Sequence, residues 1–229
     1  MNQDSRVGIY YCPPEDDPLF AAGAAWLGRN PARETAELRA QPDIAGIEEV
    51  TADARGYGFH ATLKPPMRLG PGCTWLGFLT AVNALAERIA PFELPPLAVN
   101  DLHGFLALRE TEHCAALQAL ADACVVELDG YRASPSAGEL DRRRRAGLTD
   151  AQEAMLVRFG YPYVLETWFF HMTLTRRLSA EEHRTWRPAA ERYFAAVAGV
   201  KRLVTDVCLF TQSVPGAPFV IAARVPLGG

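Results

Sequence analysis

Lysine is nearly absent from this chain of 229 residues: of 23 basic side chains, only Lys64 and Lys201 are lysine and 21 are arginine. Codon composition accounts for such a skew, so it lends only slight weight to Lys64. A positive excess is missing too, because 27 acidic residues leave a formal net charge of -4. With no global positive field to hold phosphates along a strand, a long nucleic acid is excluded as partner, whereas a small anionic molecule is not. Cysteine is sparse and scattered (Cys12, Cys73, Cys114, Cys124, Cys208), odd in number and without a C-x-x-C pair. That excludes a zinc ribbon and dithiol redox chemistry, and it reads as small apolar side chains buried in a reducing compartment. No run reaches the 18 apolar residues of a membrane span, and Met1 to Tyr11 lacks the apolar core of a signal peptide. A cytoplasmic monomer with no membrane partner is the expectation.

What is present is a repetition. Phe59-His60-Ala61-Thr62-Leu63 returns as Phe170-His171-Met172-Thr173-Leu174, four of five letters identical. Chance gives such a copy with odds of roughly one in a thousand, so the duplication is treated as meaningful. A hydrophobic content of 49% with 22% charged residues is enough to bury a core around both copies.

The surrounding pattern repeats as well. A strand is expected over 6–11, and a helix from Asp17-Pro18 to Leu27 with Gly28 as its stop. The stretch 30–55 resists assignment. The first motif strand is expected to end at Lys64-Pro65-Pro66, since proline cannot donate to a ladder. A helix capped by Thr74 follows, then strands over 92–99 and 105–108. After a helix opened by Thr111, residues 131–147 read as a long polar loop, and Thr149 opens a helix ending at Gly160. The second motif lies in a β-rich stretch over 163–174. It is followed by a helix capped by Ser179 and by strands over 203–211 and 219–225. Each motif strand thus precedes a helix and two strands. This predicts an α+β class: one bilobal domain over 1–229, with pseudo-twofold lobes around 56–110 and 163–229, each with an antiparallel sheet beside a central cleft.

On a strand, alternate side chains share a face, so His60 and Thr62 point one way while Phe59, Ala61 and Leu63 point the other. His171 and Thr173 do the same in the second copy. Two histidines facing one cleft suit phosphodiester hydrolysis, in which one takes a proton from water and the other protonates the departing oxygen. The threonine hydroxyls can donate to non-bridging oxygens. Lys64 adds a cation if the strand persists that far.

These paired His-x-Thr-Leu motifs and the duplicated layout resemble the two-histidine (2H) phosphoesterase superfamily. The runs 6–14, 57–66, 142–145 with 160–163, and 170–175 look like its branch associated with phosphonate-utilisation operons. The resemblance implies metal-independent action on cyclic or 2'-5' phosphodiesters without a cofactor, with His60, Thr62, His171 and Thr173 as the catalytic quartet. For the branch it implies a substrate such as 5-phosphoribosyl 1,2-cyclic phosphate.

Plainer readings stand beside these. Two satisfied histidines are the bland alternative, and a metal site is disfavoured because no H-x-H or H-E-x-x-H spacing occurs. Arg142, Arg143, Arg144 and Arg145 are either a solvated loop or a flap over a second phosphate. Tyr57, Tyr161 and Tyr163 either line the cleft or belong to the core. An RNA-end or 2'-5' oligonucleotide phosphodiesterase and a non-catalytic binder of phosphorylated metabolites are the competing functions.

Overall fold

The computed structural model describes residues 5–32, 39–145 and 147–229. Outside them lie residues 1–4 of the stretch read as lacking a signal, 33–38 of the unassigned stretch, and residue 146 of the expected loop. The strands are β1 (Arg6–Tyr11), β2 (Ala61–Met67), β3 (Phe92–Leu94), β4 (Leu97–Leu102), β5 (Phe105–Glu110), β6 (Met172–Arg177), β7 (Arg202–Val204), β8 (Asp206–Gln212) and β9 (Val220–Pro226). The helices are α1 (Pro18–Leu27), α2 (Ile47–Val50), α3 (Ala52–Tyr57), α4 (Trp75–Ala86), α5 (Ala115–Glu127), α6 (Ala137–Arg144), α7 (Asp150–Phe159) and α8 (Ala180–Ala198).

Local chemistry sets most of the helix ends. The Asp17 carboxylate accepts from Leu19 N with Pro18 in the first turn, and Gly28 closes α1 at φ 72°. Thr149 with Gln152 and Ser179 with Glu182 form reciprocal capping boxes on α7 and α8. α5 begins after Cys114 rather than at Thr111.

Among the described residues, seven strands form one antiparallel sheet in the order β4-β5-β6-β2-β1-β8-β9, and β3 pairs with β7. The α+β class and the antiparallel pairing agree with the sequence pattern. The duplicated order is also present: β2, α4, β3, β4, β5 against β6, α8, β7, β8, β9. The strands of the two halves nevertheless join into one sheet. The hairpin that follows β2 packs beside β6, and the hairpin that follows β6 packs on β1 beside β2. This interleaving places both motif strands next to each other at the sheet centre.

One sheet face is apolar: Val7, Ile9, Leu63, Leu106, Leu108, Met172, Leu174, Val207 and Leu209 all join the main core. Trp26 of α1, Phe78 and Val82 of α4, Leu117 and Leu120 of α5, and Phe194 of α8 cover it. At about 25 cal/mol per Å² of apolar surface removed from water, this layer is the main source of stability. The opposite face carries the two motifs.

Two expectations about backbone are corrected. β2 runs through Pro65 and Pro66 to Met67 instead of stopping at Lys64. Its pairing with β1 is interrupted by bulges, since Tyr10 faces Thr62 while Ile9 faces Lys64, and Val7 faces Met67. A bulge leaves ladder positions unpaired, which is where proline is tolerated. The stretch 131–147 is not all loop, because Ser136 and Glu139 form a capping box that starts α6 and Arg68 pairs with Glu139 at 2.9 Å.

Candidate active site

Between β2 and β6, Ala61 pairs with Met172, the single registered pair among the described residues. His60 and His171 immediately precede these two positions, and Thr62 and Thr173 immediately follow them. Burial alternates in both copies: Phe59, Ala61, Leu63, Phe170, Met172 and Leu174 are fully buried, while the two histidines and two threonines are partly open. The strands then diverge. The Trp168 indole fills the opening and donates to Thr62 O at 2.8 Å, a bond the ladder would otherwise supply.

His60, Thr62, His171 and Thr173 line one cleft of about 310 Å³ with Arg6, Tyr10, Asp53, Ala54, Tyr57, Gly58, Pro66, Arg143 and Tyr161. The two histidines are held alike. His60 Nδ1 lies 2.8 Å from Gly58 O and His171 Nδ1 lies 3.1 Å from Phe169 O, each carbonyl two residues upstream. A carbonyl only accepts, so Nδ1 carries the proton and Nε2 presents its lone pair when the ring is neutral. His60 Nε2 is 3.4 Å from Thr62 Oγ1. Gly58 adopts φ 79°, a conformation suited to glycine, in turning the chain from α3 into the motif. Buried Arg29 braces that turn by donating to Arg55 O at 2.8 Å, Gly56 O at 3.0 Å and Phe219 O.

Burial favours the neutral form of both rings in the free protein. Burial lowers His60 to about 4, opposed by the Gly58 carbonyl and reinforced by His171 and Arg29. His171 is also lowered by burial, opposed by the Phe169 carbonyl and reinforced by Arg109. Aromatic rings fix the imidazole planes. Tyr10 stacks on His60 with centroids 4.0 Å apart, and Phe169 lies 4.9 Å from His171.

Of the residues singled out from sequence, the cleft gathers the quartet with Tyr57, Tyr161 and Arg143. It does not gather Lys64. The bulge at Leu63 turns that side chain to the helix face, where Nζ donates to Val125 O at 3.1 Å and lies 3.8 Å from Asp129. Tyr163 packs edge-on to Tyr161 from outside. On α6, Arg143 alone reaches the cleft, its guanidinium 4.4 Å from the Tyr161 ring centre. Arg144 pairs with Glu153 at 2.7 Å, and Arg142 and Arg145 do not line the cleft.

Arg6, Tyr10, Asp53 and Pro66 escaped the sequence reading. For Arg6 and Tyr10 a signal existed: Arg6, Gly8 and Tyr10 alternate along a strand that was legible, and so share a face. Nothing local said that this strand would lie beside the first motif. Among the described residues, no group of three or more His, Cys, Asp or Glu is placed to hold a metal ion. No helix among them is long and apolar enough to cross a membrane.

Known proteins similar to this chain fall into two groups. A ribose 1,5-bisphosphate phosphokinase PhnN of Janthinobacterium sp. (strain Marseille) is 41% identical over 98% of this chain and 51% of its own length. A protein of the same name from Laribacter hongkongensis (strain HLHK9) is 32% identical over 93% of the chain and 50% of its own. The chain therefore spans about half the length of these relatives. Among solved structures it is similar to E. coli LigT in apo form (13% identity, TM-score 0.47, 98% of both chains). It is also similar to a crystal structure of a phosphoesterase (14% identity, TM-score 0.44, 99% of both). Likeness that loose carries no argument about the site. The family model described as "Protein of unknown function (DUF1045)" matches residues 62–220, from the first motif threonine into the last strand, and the chain belongs to that family.

Proposed function

We propose that this chain is a two-histidine phosphoesterase that opens a small cyclic phosphate ester without a metal ion. One observation carries the reading: two imidazoles at the starts of neighbouring antiparallel strands, each with Nδ1 tied to its own backbone, turn Nε2 toward a shared cleft that also holds two threonine hydroxyls. His60, kept neutral by burial, takes a proton from water as its oxygen bonds to phosphorus. His171 then protonates the alkoxide released as the ring P–O bond breaks. A bound phosphate anion favours the protonated form of His171 that this step needs. Thr62 and Thr173 donate to the non-bridging oxygens.

The cleft is at the small end of ligand pockets, which supports a sugar phosphate over an oligonucleotide. The relatives' names support a more specific reading. No G-x-x-x-x-G-K-[ST] phosphate loop occurs in these 229 residues. We therefore infer that the phosphokinase activity named for the relatives belongs to the half that this chain does not match. The matched half would supply its substrate: 5-phosphoribosyl 1,2-cyclic phosphate, cleaved at the bond from phosphorus to O2, yields ribose 1,5-bisphosphate. On this reading the chain acts in phosphonate catabolism.

The test is hydrolysis of that cyclic ester, with the product identified by phosphorus NMR and with chelator present. The expected product is the 1-phosphate. His60→Ala and His171→Ala should each lower kcat/KM by about 10² to 10⁴. Undiminished turnover in either variant would overturn the mechanism, and formation of the 2-phosphate would overturn the assigned bond.

A further inference from the structure

On the His60 side of the cleft lie groups that acid–base chemistry at phosphorus does not use. Arg6, Gly8 and Tyr10 follow one another along the cleft face of β1, and Tyr10 pairs with Thr62. The Tyr10 ring folds back over Gly8: a Cβ built on Gly8 would lie 2.8 Å from the Tyr10 hydroxyl. That hydroxyl therefore sits between the quartet and Arg6. It is buried and has no hydrogen-bond partner among the described residues. A buried hydroxyl without a partner is costly, and a ligand group in the cleft would remove the cost.

Beside it stand two arginines that have no carboxylate partner among the described residues. Arg6 donates through Nε to Gln212 Oε1 at 2.8 Å and lies over the Phe219 ring. Arg143 lies against Tyr161. Both are thus aimed by neighbours, with their Nη groups unpaired by any carboxylate among the described residues. Arg144 of α6 and Arg176 of β6 contrast with them, being paired with Glu153 and with Glu49 and Glu182. Tyr57 and Tyr161 add phenols, and Asp53 is the acidic residue on the same wall. A guanidinium pair with hydroxyl donors suits a phosphate monoester, which carries up to two charges and several acceptor oxygens.

We propose that Arg6, Arg143 and the Tyr10 hydroxyl form a second anion subsite that takes a terminal phosphate monoester, so that the substrate is a sugar bearing a cyclic phosphate at one end and a monoester at the other. This rests on the phosphodiesterase reading for the cyclic end only. The subsite selects phosphorylated sugars over nucleoside cyclic phosphates, which have no group to place there.

Calorimetric titration with ribose 5-phosphate tests the subsite apart from turnover. The wild-type chain should bind it, and the His60→Ala/His171→Ala double variant should bind it as well. Arg6→Ala and Arg143→Ala should each weaken binding about tenfold or more. Among the described residues Arg143 rests on its ring contact with Tyr161, so its variant stays informative if loss of the Gln212 bond unfolds Arg6→Ala. In steady state, the ratio of kcat/KM for 5-phosphoribosyl 1,2-cyclic phosphate over ribose 1,2-cyclic phosphate should fall by a similar factor in Arg143→Ala. The proposal is overturned by unchanged affinity in Arg143→Ala, by no binding to the wild type, or by binding that disappears with the histidines. Arginine-dependent binding without turnover of any cyclic ester would uphold the subsite and remove the phosphodiesterase reading.

Discussion

The Tyr10 ring lies face to face with the His60 imidazole, centroids 4.0 Å apart and planes at 28°. Since the Tyr10 hydroxyl is buried without a partner among the described residues, Tyr10→Phe should keep the stack and relieve a desolvation cost. Chemical denaturation is expected to show the variant as stable as wild type or more so, by about 1 kcal/mol. Binding of ribose 5-phosphate should weaken in the same variant. Gly8→Ala should do the opposite to stability, because its Cβ would lie 2.7 Å from Tyr10 ring atoms, and overpacking of this kind costs about 1–3 kcal/mol. Equal stability of Gly8→Ala and wild type would show that the ring is not confined.

Protonation of the motif histidines should govern both activity and stability. With His60 as base at about 4 and His171 as acid below 6.5, kcat/KM should follow a bell whose acid limb falls near pH 4 and whose alkaline limb lies below pH 6.5. For folding, His60 binds its proton more weakly in the native state than in the unfolded chain. Its stabilising contribution is therefore complete above about pH 6.5 and is lost as pH falls toward 4. Denaturation midpoints across that window should drop with pH in the wild type and drop less in His60→Gln. A midpoint that is flat from pH 6.5 to 4 in the wild type would refute the shift.

Lys64 separates what the sequence suggested from what the fold does with it. Burial lowers its ammonium to about 8, partly offset by Asp129. The native state thus favours the neutral amine, and stability should rise as pH climbs from 8 to 10.5. Lys64→Met should abolish that rise, leaving Asp129 with Arg132 at 2.8 Å, and should change kcat/KM less than threefold. A hundredfold loss of activity would return Lys64 to the cleft.

Lys64 also shows where sequence reasoning reached its limit. Period-two alternation set the face of His60, Thr62, His171 and Thr173, because five residues of extended chain need only local geometry, although the paired strands begin at Ala61 and Met172. Capping residues located the starts of α1, α4, α7 and α8 for the same reason. The bulge at Leu63 depends on pairing with β1, a strand 52 positions earlier counted from Tyr10 to Thr62. The adjacency of β1, β2 and β6 is likewise non-local, so Arg6 and Tyr10 could not be placed in the cleft from their own neighbourhood. α6 was within reach: Ser136 and Glu139 have capping-box spacing, but the four following arginines suggested a self-repelling loop.

That helix carries the last prediction. α6 spans eight residues, buries none of them, and is too short to persist on propensity alone. Its start depends on Ser136 Oγ accepting from Glu139 N, while the Glu139 carboxylate accepts from Ser136 N at 2.8 Å and from Arg68 at 2.9 Å. Loss of the cap by Ser136→Ala should cost about 1 kcal/mol locally. The cost falls on the helix that aims Arg143 at the cleft, seven residues away, rather than on the sheet. Ser136→Ala should therefore leave the global denaturation midpoint nearly unchanged and raise amide exchange across 137–144. It should also weaken ribose 5-phosphate binding in the direction of Arg143→Ala. Combining the two substitutions should add little to binding loss, since the second removes a group the first has already released. Full additivity would mean that α6 does not position Arg143.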